Sequence, residues 1–222
     1  MQILHSKIYG SENAGTPLLV FHGLFGMLDN WASFAKEFAE IMPTHLIDLR
    51  NHGKSFHSDE MTHTVLADDI LNYMNFHNLQ KINLLGHSLG GMSILNAIKN
   101  GLQVKKAVVI GSGNSVINIV NTFVEKIGLP NKVAVIMRNS FEKKYHFDME
   151  SFSAYVVAKE VKIPVLVIHD NDDDDIPISE AYHLAENLSD KEVLITNNLG
   201  HRKILGDSAV ITKIIEFLMI KK

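Results

Sequence analysis

Residues 81–91 read KINLLGHSLGG, and the fold turns on them. Ile82, Leu84 and Leu85 form an apolar run of buried-strand character, and helix-forming residues follow Gly90. Between them Gly86-His87-Ser88-Leu89-Gly90 reads as a very tight strand-to-helix turn with Ser88 at its apex. Such a turn crowds the backbone around Gly86 and Gly90, where a Cβ would clash. Strain held at the apex leaves the hydroxyl open to approach. The helix start beside it supplies free N–H groups suited to a developing oxyanion. The plainer reading is an ordinary turn with a capping serine, so partners elsewhere in the chain decide between the two.

The composition is that of an ordinary globular protein, 46% hydrophobic and 21% charged, and 222 residues are expected to form one domain over 1–222. A net charge of −4 provides no electrostatic footprint for nucleic acid. With no cysteine, disulfides, thiolate catalysis and Cys-ligated metals are excluded. No apolar run approaches the ~18 residues that span a bilayer. Residues 1–10 alternate like a strand and lack the apolar core of a signal peptide, so a cytoplasmic protein is expected.

Outward from the Ser88 turn, strand and helix patterns alternate. Continuous apolar runs at 17–22 (PLLVFH), 106–111 (KAVVIG) and 164–169 (PVLVIH) read as strands buried on both faces, with shorter strands at 45–49 and 192–196. Helical spacing marks 29–40, a segment from Thr62 or Thr64 to His77, the run after Ser88 to Lys99, 179–187, and a last helix from Asp207. This order predicts an α/β fold, a mostly parallel sheet with helices on both faces. Ligands bind such sheets at the carboxyl ends of the strands, which places residues 22–26, Ser88 and the loops after His169 and Thr196 on one rim. Residues 114–163 break the rhythm with three successive helical patterns, 115–127, 131–145 and 148–159. They form either a small helical cap over that rim or extra core packing.

A serine hydroxyl needs a base, and the base needs an acid to orient it. Of twelve histidines, His201 comes after the last strand on the correct rim, beside Gly200. His22 and His52 sit in glycine loops, where an imidazole holds backbone in place. His87 lies inside the tight turn, with its ring expected to point away from the rim. For the acid, Asp170, Asp172, Asp173, Asp174 and Asp175 all lie in the loop after PVLVIH, and one of them fits as the orienter of His201. The run lacks the alternating carboxylates and glycine of a Ca²⁺ loop, so no metal is expected. The strand end 111–114 carries no carboxylate.

With these residues in view, the chain resembles the α/β-hydrolase superfamily over nearly its whole length, and is similar to small bacterial serine esterases. Residues 22–26 (HGLFG) resemble the oxyanion loop, and 48–55 (DLRNHGKS) resemble the Asp-x-Arg-x-x-Gly-x-Ser loop. Residues 86–90 match the nucleophile elbow, 168–177 the acid loop ending in Ile176-Pro177, and Gly200-His201 the histidine loop. The resemblance implies Ser88 as nucleophile, His201 as base and Asp173 as acid. Asp170 departs from the family pattern by standing where glycine is common. The backbone N–H groups of Leu89 and Leu24, or of Phe25, are expected to hold the oxyanion. Met27, Leu28, Phe123, Met137 and Phe141 are expected to line an acyl pocket. The activity implied by the resemblance is that of a carboxylic-ester hydrolase acting on a small-molecule acyl ester, without a cofactor. A thioesterase, a lactone or C–C bond hydrolase, and a non-catalytic binding module are the alternatives the same scaffold permits. Oligomeric state cannot be read from the sequence.

Overall fold

The computed structural model describes residues 2–113, 115–146 and 148–220. Asn114, where the expected helical excursion opens, and Phe147 within it lie outside the described residues. The strands are β1 (Ser6–Tyr9), β2 (Leu18–Phe21), β3 (Thr44–Ile47), β4 (Ile82–His87), β5 (Val104–Ile110), β6 (Val165–Asp170) and β7 (Lys191–Thr196). Among the described residues they form one sheet in the order β1-β3-β2-β4-β5-β6-β7. The edge strand β1 runs antiparallel to β3, and every other neighbouring pair is parallel. The winding reverses between β2 and β4, which is where such sheets open a crevice at their carboxyl ends.

The helices are α1 (Ala32–Ala39), α2 (His63–Phe76), α3 (Leu89–Lys99), α4 (Val116–Lys126), α5 (Lys132–Tyr145), α6 (Ala154–Ala158), α7 (Ile178–Asn187), α8 (Gly200–Lys203) and α9 (Ser208–Met219). Strand side chains alternate between two apolar layers, as a period of two requires. Leu19 and Phe21 join the layer formed with α2, α3, α6 and α7. Leu18 and Val20 join the layer formed with α1 and α9. Helix starts obey capping chemistry. The Thr62 hydroxyl accepts from the Val65 N–H at 3.2 Å, and Asp207 accepts from Ala209 and Val210, both at 3.0 Å.

Two expectations change at element level. The helix over 29–40 begins as a 3-10 turn at Leu28–Trp31 before α1. The pattern over 148–159 divides into a 3-10 turn at Met149–Phe152 and α6, because Ser153 is extended and its hydroxyl accepts from the Val116 N–H at 2.9 Å. Ala154, Val157 and Ala158 are fully buried and pack with α3 and α7, so α6 belongs to the core layer. By contrast α4 runs along the rim at the carboxyl ends of the strands, with Phe123 in the wall of a cavity that Ser88 shares.

Candidate active site

Ser88 stands between β4 and α3 with φ 52° and ψ −119°, a conformation that is strained for any residue with a Cβ. Its N–H donates to the Ile110 carbonyl at 3.0 Å, tying the turn to β5. The two glycines have different tasks. A Cβ on Gly86 would lie 2.4 Å from the backbone of Gly90, so this glycine lets the turn close on itself. A Cβ on Gly90 would instead lie 2.6 and 2.7 Å from the carbonyl oxygens of Phe21 and His22, so that glycine lets the end of β2 lie against the turn.

The structure brings His201 and Asp173 together. His201 Nδ1–H donates to Asp173 Oδ2 at 2.7 Å, the arrangement in which the neutral ring presents Nε2 as an acceptor. Asp173 Oδ1 accepts from the N–H groups of Asp175 and Ile176, both at 2.8 Å. Burial pushes the Asp173 carboxyl up, but the bonds from His201 and from these backbone groups outweigh it and hold the group below the ordinary carboxylate range. Asp170 does not reach His201. It accepts from the N–H groups of Asp172, Leu199 and Gly200 and from the Thr196 hydroxyl, pinning the histidine loop to the acid loop.

Three further residues brace this pair, and sequence reasoning did not find them in that role. His87 is buried and its Nε2–H donates to the His201 carbonyl at 3.0 Å, with the two rings 4.5 Å apart. The expectation that its ring points away from the rim is corrected: strand alternation puts His87 on the same face as Leu85, where the histidine loop closes over it. Burial pushes its imidazole down to about 3, so it stays neutral. His169 donates to the Ile176 carbonyl at 2.8 Å and lies 3.5 Å from Asp173 Oδ2. Gly111 has φ +50°, and a Cβ there would lie 3.3 Å from His201 Nδ1 and 3.5 Å from Asp173 Oδ2. Local spacing does not mark His87 or Gly111, because each acts on a residue distant in the chain, whereas His169 lies only four residues before Asp173 and that spacing could have found it.

The loop 22–26 is held by two imidazoles. His22 Nδ1–H donates to the Gly23 carbonyl at 2.8 Å, and its Nε2 accepts from the Leu49 N–H at 3.0 Å. His52 Nε2 accepts from the Phe25 N–H at 3.3 Å. The Phe25 N–H is therefore engaged away from Ser88. Leu89 is the first residue of α3, so its N–H has no acceptor within the helix, and the Leu24 N–H has no partner among the described residues. Loop 48–55 is held by Asp48, which accepts from the N–H groups of Leu28 and Lys54, and by the buried Arg50–Asp69 pair.

Two cavities, of about 450 and 480 Å³, meet at Ser88 and His201, and both include Leu24 and Phe25 in their walls. Of the expected acyl-pocket residues, Phe123 lines one of them. Met27 and Leu28 do not. They line a separate cavity with His5, Lys7 and Asp48, because the Leu28 N–H is drawn to Asp48 and its side chain enters the core below α1. Met137 and Phe141 lie on α5, outside the walls of both cavities. Among the described residues no group of three or more His, Asp or Glu side chains is placed to hold a metal ion, and no helix is long and apolar enough to cross a membrane.

Comparison with known proteins bears on the family and the fold. Residues 16–128 match the family model of the alpha/beta hydrolase fold. A Haemophilus influenzae protein with a provisional esterase/lipase designation is 44% identical over 85 residues, 38% of this chain and 30% of its own length. The sn-1-specific diacylglycerol lipase ABHD11 of Danio rerio is 30% identical over 183 residues, 81% of this chain and 46% of its own. The chain thus spans less than half the length of these curated relatives. Among solved structures, MGS-M2, an alpha/beta hydrolase enzyme from a Medee basin deep-sea metagenome library, superposes with a TM-score of 0.79 over 99% of this chain and 95% of that one. At 17% identity this is a likeness of fold.

Proposed function

The chain belongs to the α/β-hydrolase fold family, and on that premise we propose that it cleaves carboxylic esters by a Ser-His-Asp mechanism. The observation that carries this reading is the 2.7 Å contact of His201 with Asp173 at the mouth of a cavity that Ser88 and His201 share. Ser88 Oγ attacks the acyl carbonyl while His201 Nε2 takes its proton. Asp173 keeps the imidazole in the tautomer that accepts at Nε2 and stabilises its charged form. The N–H groups of Leu89 and Leu24 receive the developing oxyanion. His201 then protonates the leaving alkoxide, and water resolves the acyl-enzyme by the same route in reverse. Ester-cleaving designations among the relatives support the substrate class.

The test is intact mass after incubation with a fluorophosphonate, on the native chain and on Ser88→Ala. An adduct on the native chain that is absent from the variant is expected, with a loss of about 10⁶ in kcat for the variant if the three residues act as a unit. A folded native chain that takes no adduct would overturn the reading in favour of a binding module. Relative turnover of oxygen esters, thioesters and lactones then identifies the leaving group.

A further inference from the structure

The two cavities at Ser88 differ in charge. The one walled by α4 carries Lys126 among three carboxylates, Glu125, Asp175 and Glu180. The other is lined by Arg202 and Lys203 and by no aspartate or glutamate. Trp31 and Asn30 also line it. Trp31 is 1% exposed, and its indole Nε1–H, which can only donate, has no partner among the described residues. Asn30 spends its amide oxygen on the Met27 N–H at 2.8 Å, leaving its NH₂. Lys203 has no ion-pair partner among the described residues. Arg202 comes only within 3.8 Å of Asp175, a carboxylate already held by Lys126 at 2.7 Å.

We propose that this cavity is the subsite for a carboxylate-bearing part of the substrate, with Lys203 and Arg202 supplying charge and the Asn30 NH₂ directing its oxygens. Two planar acceptor oxygens match the N–H donors of Arg202, Lys203 and Asn30, and the acidic neighbour cavity rejects the same group. Substrate is thereby oriented across Ser88, with its anionic end under Arg202 and Lys203 and its apolar end toward Phe123. The turnover part of this inference rests on the ester-hydrolase reading, whereas the binding part does not.

Trp31 is the single tryptophan of the chain, so its fluorescence reports on the cavity directly. The full chain is titrated at low salt with glutarate, with neutral dimethyl glutarate and with inorganic phosphate. A saturable change with glutarate alone is expected, weakened on the order of tenfold in Lys203→Gln and by added salt. No response to glutarate, an equal response to the diester, or tighter binding of phosphate would overturn the assignment. So would unchanged glutarate affinity in both Lys203→Gln and Arg202→Gln variants of native circular dichroism. In turnover, the ratio of kcat/KM for monophenyl glutarate over phenyl pentanoate is expected to exceed about ten and to fall toward one in the double variant. A ratio of one in the native chain would sink the subsite. Glutarate binding with neither ester turned over would leave the subsite standing and remove the hydrolase reading.

Discussion

Replacing Asp173 by Asn puts the identity of the acid to a test at single-atom level. The carboxylate accepts three hydrogen bonds, one on Oδ2 from His201 and two on Oδ1 from the N–H groups of Asp175 and Ile176. An asparagine offers one accepting oxygen and one NH₂. Turning the NH₂ toward the two backbone donors leaves both without an acceptor, at about 1–3 kcal/mol each. The oxygen therefore stays with them, and the NH₂ faces His201 Nδ1. That forces the imidazole proton onto Nε2, the atom that must accept from Ser88. The fold survives and the chemistry fails, so kcat is expected to fall about 10⁴-fold, some 5.5 kcal/mol in the barrier, with little change in urea midpoint. Asp170→Asn is the matched control. Its four accepted bonds include none from His201, so its loss should appear in the urea midpoint, with kcat of the folded fraction within about tenfold of native. Hydrolysis of a short-chain aryl ester and the rate of fluorophosphonate inactivation report on both variants. If Asp173→Asn keeps kcat within tenfold, or if Asp170→Asn matches its loss, the assignment is wrong.

Acid should unfold this chain earlier than its carboxylates alone would require. Burial pushes His45 down to about 4 and His87 down to about 3, while both titrate near 6.5 when unfolded. Below that pH the unfolded chain binds more protons, so the stability present above pH ~6.5 is lost as pH falls, by up to roughly 3 kcal/mol for His45 by pH ~4 and 5 kcal/mol for His87 by pH ~3. A urea midpoint that stays level between pH 7.5 and 5 would contradict this. Gly111→Ala forces a Cβ onto a left-handed backbone at about 1–2 kcal/mol and presses it toward His201 Nδ1. Its kcat should fall by at least about tenfold, and a variant with native kcat would show that the imidazole can give way. Asp69→Ala strands the Arg50 guanidinium, which Asp69 holds at 2.6 and 2.8 Å in a buried site. A loss of about 3–5 kcal/mol is expected in thermal or urea unfolding, and less than 1 kcal/mol would mean the charge finds water.

Local chemistry determined much of this protein in advance. The buried runs of β2, β4, β5 and β6, the apex position of Ser88 and the Thr62 and Asp207 caps depend on residues a few places apart, and their periods and sterics can be read from the chain itself. The same holds for His201 on the rim, since strand polarity alone puts it there. Tertiary structure decided the rest. It set β1 antiparallel against β3, because alternation marks a strand without naming its neighbour. It set the contact of Asp173, the acid the family resemblance implies, with His201 28 residues away, while Asp170 was taken by the backbone of the histidine loop. It turned His87 inward, placed α6 in the core and sent Met27 and Leu28 to a different cavity. Each of these depends on a surface presented by a distant segment, and side-chain periodicity is silent on which distant surfaces meet.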